Sequence, residues 1–223
     1  MEAAINSLWL MRGEIITAFW QTCVMVGIST AVSVVIGGLL GVLLFVTADK
    51  QMLANAGVHH TVGQTVNFIR AFPFVILMIA LIPATRLVVG TSIGPLAASL
   101  VLSVAGLFYF SRLVEQNLRE VPRGVLEAAD AMGTPPLAVM VKVLLTEARS
   151  GLVLSVTILM ITLLSSSAAA GMIGGGGLGD LAIRYGYYRY QTEVIVFIVA
   201  LLSLMVVITQ SIGNRIAAKL DKR

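Results

Sequence analysis

Charged residues are absent from four long stretches of the chain, and each stretch is rich in aliphatic side chains. Residues 15–48, 87–111, 150–179 and 194–214 contain no Asp, Glu, Lys or Arg. A helix needs about 20 apolar residues to cross the hydrocarbon of a bilayer, so each stretch can span a membrane. A fifth stretch, 68–83, reaches this length only by including Arg70 near one end. The pattern predicts five transmembrane helices, at about 15–46, 68–85, 92–111, 151–173 and 192–213.

Composition agrees with a membrane protein. Hydrophobic residues make up 58% of the 223 residues, charged residues make up 12%, and the mean hydropathy is +0.96. These values lie well outside what a soluble domain needs for its core. The first apolar run is about twice as long as the roughly 7–15-residue core of a secretory signal, and no small-x-small cleavage site follows it, so we expect a permanent helix. We therefore expect an all-α integral membrane protein in which residues 1–223 form a single transmembrane domain.

The distribution of lysine and arginine predicts the orientation in the membrane. Five spans place the two termini on opposite sides. With Arg70 left aside and the C-terminus in the cytoplasm, the inner segments hold ten basic residues and the outer segments hold four. The positive-inside rule then favours an outer N-terminus and a cytoplasmic C-terminus. The inner residues are Lys50, Arg112, Arg119, Arg123, Lys142, Arg149, Arg215, Lys219, Lys222 and Arg223, and the outer ones are Arg12, Arg86, Arg184 and Arg189.

The sequence contains no sign of an active site of its own. Its single cysteine, Cys23, lies in the first span, which excludes a disulfide within the chain and a cysteine metal cluster. The patterns GxxxxGK[ST] and HExxH do not occur, and the match to GxSxG at Gly90–Gly94 lacks the preceding strand that the nucleophile elbow of an α/β-hydrolase requires. A secondary transporter or channel needs membrane-embedded acids or a filter-like sequence, but the five apolar stretches contain no acidic residue, and Glu115 and Glu120 lie outside them. We therefore expect neither an enzyme nor a bound metal.

The longest polar connection, between the third and fourth spans, has the pattern of two short helices. Pro122 suits a first helical turn, and Gly133 suits the position just after a helix C-terminus. Thr134 and Pro135 then suit the start of a second helix. Apolar residues recur on one face of each helix, at Val125, Leu126, Ala129 and Met132 and at Leu137, Met140, Val141, Leu144 and Leu145. Such a pair of helices either lies flat on lipid or presses into a groove of a partner protein. The small residues and the acids of the first helix favour the protein partner.

The same connection resembles the EAA loop of ABC-importer membrane subunits, whose pattern reads EAA-x3-G-x9-I-x-L-P. The matching residues are Glu127, Ala128, Ala129, Gly133, Val143 and Leu145, while Thr146 stands where the family has proline. Other segments are most similar to the methionine permeases among these subunits, namely Ile69–Phe74, Ile82–Arg86, Val89–Gly94, Gly175–Gly179 and Tyr185–Tyr187. The resemblance implies the type I importer permease fold, with an EAA coupling loop at 120–148 and a coupling helix from Glu127 to Gly133.

The resemblance also implies a transport complex in the bacterial inner membrane. It implies a homodimer of permease subunits, two identical ATPase subunits that bind ATP and Mg, and an extracytoplasmic substrate-binding lipoprotein. The expected substrate is methionine, and the alternative is another polar amino acid such as histidine or cystine. In the coupling loop we expect Glu127 to orient the helix, Ala128 and Ala129 to permit close approach of the ATPase subunit, and Gly133 to form the turn.

Small residues point to two further features of the spans. The fourth span has a side made of small residues, namely Ser165, Ser166, Ser167 and Ala169. This side either lines a translocation pathway or gate or permits tight helix packing. In the first span, Gly27, Gly37, Gly38 and Gly41 either mark close approach of another helix or reflect the ordinary tolerance of glycine in lipid.

Aromatic and basic residues follow the fourth span. Tyr185, Tyr187, Tyr188 and Arg189 form either an aromatic belt at the membrane surface or part of a docking surface for the binding protein. Arg70 is a functional candidate because it lies within a predicted span, but its place near the helix start also lets it anchor the helix at the interface.

Overall fold

The computed structural model describes residues 9–49 and 51–221, without the side chain of Asp130, and this part of the chain is helical without strands. The expected all-α membrane fold is confirmed. Lys50, Lys222 and Arg223, which contributed to the predicted orientation, lie outside the described residues. In chain order the helices are α1 (Arg12–Thr47), α2 (Ala56–Arg70), α3 (Phe74–Ala80), α4 (Ile82–Val89), α5 (Pro95–Arg119), α6 (Arg123–Ala131), α7 (136–147), α8 (Arg149–Gly171), α9 (177–187) and α10 (Thr192–Leu220).

Four of these helices, α1, α5, α8 and α10, are long and apolar enough to cross a membrane. Three helices contain π-helical segments, which are Ser33–Gly37 in α1, Val139–Leu144 in α7 and Ala182–Tyr187 in α9. The spanning helices differ in how much of their surface the protein covers. In α5, 56% of the most apolar window is buried inside the protein, whereas the corresponding share in α10 is 6%.

The second span is not the continuous helix that we predicted over 68–85. Helix α2 ends at Arg70, and its axis makes an angle of 102° with that of α3, which begins at Phe74. Pro73 explains the break, because proline lacks an N–H group and disfavours helical backbone at the residue before it. The described part of the chain therefore contains five spanning segments only if the bent pair of α2 and α3 counts as one.

The chain divides into two compact units, and the four long helices contribute to both. The first unit is drawn from Met1–Ala31, Phe72–Gly106 and Met160–Thr209, and the second from Val32–Ala71, Leu107–Leu159 and Gln210–Arg223. A buried apolar cluster forms part of the first unit, and its members are Ala18, Leu178, Leu181, Val194 and Ile198.

In the second unit, two glycines let α1 approach the backbone of α5. A Cβ atom at Gly41 would lie 2.5 Å from the carbonyl oxygen of Ser111 and 2.6 Å from Cβ of Val114, and one at Gly37 would overlap the carbonyl oxygen of Leu107. Of the two alternatives, close approach of another helix therefore applies to these two positions. At Gly27 an added Cβ would meet no atom within 4 Å, so within this chain the ordinary tolerance of glycine in lipid applies there.

Candidate functional site

The coupling loop forms two helices joined by a tight turn. Helix α6 follows α5 after only three residues, and Pro122 precedes its first residue, Arg123. Gly133 has φ 68°, in the left-handed region, and the amide of Thr134 donates to the carbonyl oxygen of Ala129 at 3.2 Å. This arrangement is a Schellman motif, in which a glycine just past the helix lets the next amide bond back to the last turn. The glycine turn therefore lies where the sequence placed it.

The two alanines of the EAA sequence have different surroundings. Ala128 is exposed together with Glu127, but Ala129 is buried against its own chain, with 2% of its surface accessible. Ala129 therefore cannot offer its side chain to a partner, which corrects the role that we expected for it. Met132 was expected on the inner face, but 76% of its surface is exposed because α6 ends at Ala131.

The second helix of the loop begins one residue later than predicted. Pro136 is its first residue, and Pro135 precedes it with extended backbone, φ −63° and ψ 145°. A proline disfavours helical backbone at the residue before it, so Pro136 keeps Pro135 out of the helix. The helix therefore starts at Pro136, and Thr134 does not cap it. Leu144 is fully buried, whereas Leu137 and Val141 are 70% and 55% exposed. Thr146, which stands where the family has proline, lies in the helical turn Leu145–Glu147.

Beside the coupling helix lies a cavity of about 490 Å³. Glu127 and Arg123 of α6 line it, so the charged side of this helix borders an open space. The remaining lining residues are Gln51, Met52, Leu126, Thr134, Pro136 and Val139. The cavity therefore lies between the coupling loop and the connection that leads from α1 to α2.

The small residues of α8 do not share one face. Ser165 is exposed and its hydroxyl donates to the carbonyl oxygen of Ile161 at 3.2 Å. Ser167 is buried within the chain and its hydroxyl donates to the carbonyl oxygen of Leu164 at 2.7 Å. Ser166 and Ala169 are half-buried. Ser167 therefore cannot line an open passage, and this corrects one of the four residues that we named.

The glycine-rich segment after α8 is fixed by α1 within the first unit. Gly174, Gly176 and Gly177 have positive φ angles of 88°, 75° and 77°. The amide of Gly177 donates to Oε1 of Gln21 at 2.8 Å, and that of Leu178 donates to Oγ1 of Thr22 at 2.9 Å. The first amides of α9 thus gain side-chain partners.

Tyr185 and Arg189 face their own chain. The Tyr185 hydroxyl donates to Oε1 of Glu14 at 2.6 Å, and the Arg189 guanidinium lies 4.4 Å from the centre of the Tyr185 ring. The hydrogen bond to Glu14 raises the pKa of Tyr185, and desolvation and the charge of Glu14 act in the same direction. Arg184 completes the group, with Nε 2.7 Å from Oδ2 of Asp180 and Nη1 3.6 Å from Oε2 of Glu14. These contacts hold α9 to the start of α1.

The other tyrosines face outward. Tyr187 and Tyr188 are 65% and 70% exposed, and their rings meet edge to face with centroids 5.5 Å apart. Tyr190, which we did not select, is 88% exposed and has φ 56°, which is unusual for a residue other than glycine. Of the four predicted docking residues, Tyr187 and Tyr188 therefore have free ring surface, whereas Tyr185 and Arg189 contact each other and Tyr185 contacts Glu14.

Two further charged residues have defined positions. Arg70 is the last residue of α2, and its guanidinium lies 5.8 Å from the centre of the Tyr109 ring. Glu115 was dismissed in the sequence because it lies outside the predicted spans, yet it is 2% exposed near the end of α5 and pairs with Arg112 and Arg119. The helical spacing of these three residues is the signal that could have identified the cluster.

Comparison with known proteins gives consistent results. Residues 37–223 match the family model described as binding-protein-dependent transport system inner membrane component. The chain is 46% identical over 209 residues to the probable D-methionine transport system permease protein MetI of Vibrio cholerae, covering 94% of this chain and 93% of that protein. It is 44% identical over 164 residues to the D-methionine transport system permease protein MetI of Escherichia coli K12, covering 74% of each.

A solved structure is similar over nearly the whole chain. It is a crystal form of the MetNI methionine ABC transporter in an inward-facing conformation. The TM-score is 0.93 at 42% sequence identity, and the alignment covers 95% of this chain and 98% of that one.

Proposed function

This chain belongs to the binding-protein-dependent transport system inner membrane components, and on that premise we propose that it is the permease subunit of an ATP-driven ABC importer for methionine. One observation carries the proposal: a chain aligned over almost its full length with methionine permeases presents a glycine-terminated helix with exposed Glu127 and Ala128 directly after a spanning helix. The same similarity disfavours histidine or cystine as substrate. Inner-membrane location follows from the family.

The energy source lies in a separate subunit, which binds ATP and Mg. ATP binding closes two such subunits, and the coupling helix α6 moves with the groove that holds it. The spanning helices then rock as bodies between inward-open and outward-open states. Two permease chains and an extracytoplasmic binding lipoprotein complete the complex, with the N-terminus outside and the C-terminus in the cytoplasm.

Within the coupling loop, the exposed residues contact the ATPase subunit. Glu127 orients the helix in the groove, Ala128 permits close approach, and Gly133 ends the helix so that the chain can turn. Ala129 does not contact the ATPase subunit; its side chain packs α6 against the rest of its own chain. Support for this division is the exposure of Glu127 and Ala128 beside the burial of Ala129.

The translocation pathway and the docking surface are assigned on exposure. The pathway or its gate is lined by Ser165, Ser166 and Ala169. The two serines place hydroxyl groups on a spanning helix, where contact with lipid alone gives no reason for a polar side chain. Tyr187 and Tyr188 contact the binding protein, because tyrosine is favoured at the centre of protein interfaces. Tyr185 and Arg189 contribute to this surface indirectly, by fixing α9 against the start of α1.

The test is transport by the complete complex, purified with its ATPase subunits and reconstituted in lipid vesicles with the cognate binding protein. We expect ATP-dependent uptake of methionine and no comparable uptake of histidine. Uptake should be lost in Gly133→Arg. The matched control is Gly90→Arg, because Gly90 also has a positive φ, 81°, and open space for a side chain but lies after α4. Histidine uptake in place of methionine would refute the substrate, and equal uptake by the two arginine variants would refute the coupling role.

A further inference from the structure

Glu115 is a buried carboxylate shared by two arginines of its own helix. Its Oε2 lies 2.5 Å from Nη1 of Arg112, and its Oε1 lies 2.6 Å from Nη2 of Arg119. Only 3% of the Glu115 side chain is accessible, against 18% for Arg112 and 54% for Arg119. Both oxygens of the acid are therefore occupied, and the carboxylate holds each arginine in a fixed direction.

Arg112 uses its remaining amino group to reach a different helix. Its Nη2 donates to the carbonyl oxygen of Gly63 at 3.0 Å and to Oδ1 of Asn67 at 2.9 Å. Both acceptors belong to α2. A Cβ atom at Gly63 would lie 3.4 Å from this nitrogen, so the glycine leaves just enough room for the guanidinium. Glu115 thus aims Arg112 across the gap between α5 and α2.

A stabilising role alone does not account for this arrangement. Burying an ion pair costs desolvation energy, and well-packed apolar residues of similar volume often stabilise a protein as well or better. A charged cluster does fix the orientation of a side chain, because a guanidinium held by a carboxylate presents its other N–H donors in a fixed plane. The arrangement therefore suits a contact that must keep its geometry while helices move.

The cluster lies at the end of α5 that is next to the coupling helix, so a movement of that helix reaches the cluster before it reaches the rest of α5. Helix α5 ends at Arg119 and α6 begins at Arg123, so only three residues separate them. On another side of α5, Nδ2 of Asn117 donates to Oγ of Ser155 in α8 at 2.6 Å. The last turns of α5 are thus bonded both to α2 and to α8.

We propose that Glu115 is a positioning residue for transport, which acts through Arg112 so that α2 follows the coupling helix. This inference rests on the proposed function, since it requires an ATPase subunit that moves α6. When α6 is displaced, α5 carries the displacement to α2 through the Arg112 contacts. Without the carboxylate, Arg112 loses its fixed direction and part of the motion no longer reaches α2.

The test measures ATP hydrolysis and methionine uptake together in vesicles that contain the complete transporter. For Glu115→Gln we expect the number of ATP molecules consumed per methionine to rise about two- to thirtyfold, the size of effect known for residues that transmit coupling. Asp49→Asn is the matched control, because it also replaces a carboxylate by an amide, at an exposed position outside the coupling loop. Its ratio should equal that of the unmodified transporter.

A second variant covers the case in which Glu115→Gln does not assemble. Asn67 is exposed, so Asn67→Ala removes the far end of the network without disturbing the buried cluster. Its ratio should also rise, and the effect of the double variant should be smaller than the sum of the two single effects on a logarithmic scale, because both act on one contact.

Two results would overturn the inference. One is a fall in uptake and hydrolysis by the same factor, which leaves the ratio unchanged and indicates a structural role only. The other is an equal rise in Asp49→Asn, which indicates an effect of charge rather than of the Arg112 contact. Failure of the proposed function would look different, because the unmodified transporter itself would then show no ATP-driven methionine uptake.

Discussion

Replacement of Gly133 by alanine should weaken transport through backbone strain alone. A left-handed conformation costs an L-residue about 1–2 kcal/mol. Packing adds nothing to this cost, because a Cβ atom at Gly133 would meet no atom within 4 Å in this chain. An energy of that size changes an equilibrium by a factor of about 5–30. If the strain relaxes by moving the end of α6 out of its docking geometry, uptake at a fixed ATPase level should fall by up to this factor.

Two further variants separate strain from side-chain volume. Gly90 has φ 81° and equally open surroundings, so Gly90→Ala carries the same strain at a position away from the coupling loop. Asparagine adopts the left-handed conformation more readily than alanine, so Gly133→Asn should recover part of the lost uptake if no partner atom excludes the larger side chain.

The assay combines thermal unfolding of the purified complex with uptake in vesicles. For a chain of this size, about 1 kcal/mol corresponds to a Tm shift of about 2–4 °C, so both alanine variants should unfold about 2–8 °C earlier. Only Gly133→Ala should lose uptake. Equal uptake by Gly133→Ala and Gly90→Ala, at equal Tm, would refute the assignment of Gly133 to the docking geometry.

Three further outcomes follow from the packing and the electrostatics. Gly41→Ala should lower the Tm, since overpacking costs about 1–3 kcal/mol. Gly27→Ala should leave the Tm unchanged, because its Cβ meets no atom within 4 Å. Equal Tm values for the two variants would contradict the close approach of α1 to α5. The hydroxyl of Tyr185, identified by comparison with Tyr185→Phe, should lose its proton above its usual pKa of 10.0, and Glu14→Gln should lower that midpoint. Because the pKa of Tyr185 is raised in the folded state, its contact with Glu14 stabilises the folded state at pH values below the usual pKa. This stabilisation is lost as the pH rises through the raised pKa. An unchanged midpoint in Glu14→Gln would contradict the assignment. Ala129→Leu should lower the Tm through overpacking, whereas Ala128→Leu should leave the Tm unchanged and reduce uptake, and the reverse order would contradict the two faces assigned to α6.

Local signals in the sequence located the coupling helix well. Pro122 and Gly133 act through backbone geometry that their neighbours scarcely alter, so the two ends of α6 could be read from them. The start of the next helix was misplaced because two prolines stand in succession and Pro136 governs Pro135. The break before α3 was missed because the count of apolar residues ignored Pro73, whose effect does not depend on hydrophobicity.

Tertiary information was harder to obtain. Helical periodicity groups Ala129 with Met132 on one face, but it cannot show that the helix ends between them and leaves Met132 exposed. Ser165 and Ser167 are alike in sequence, and only the neighbouring helices bury one and expose the other. Glu115 was set aside because a span was ended at residue 111, whereas α5 continues to Arg119.

The unequal burial of the spanning helices bears on how the chain enters the membrane during synthesis. In helix α10 only 6% of the most apolar window is buried inside the protein, so this helix can partition into lipid on its own. Helix α5 carries buried Ser99, Ser103 and Ser111 and depends on neighbours to cover them. The glycine face of α1 leaves the ribosome before α5 does, so a nascent chain that ends just after α5 should already hold the contact of Gly41 with Ser111. The second unit would then be assembling before α6 has been translated.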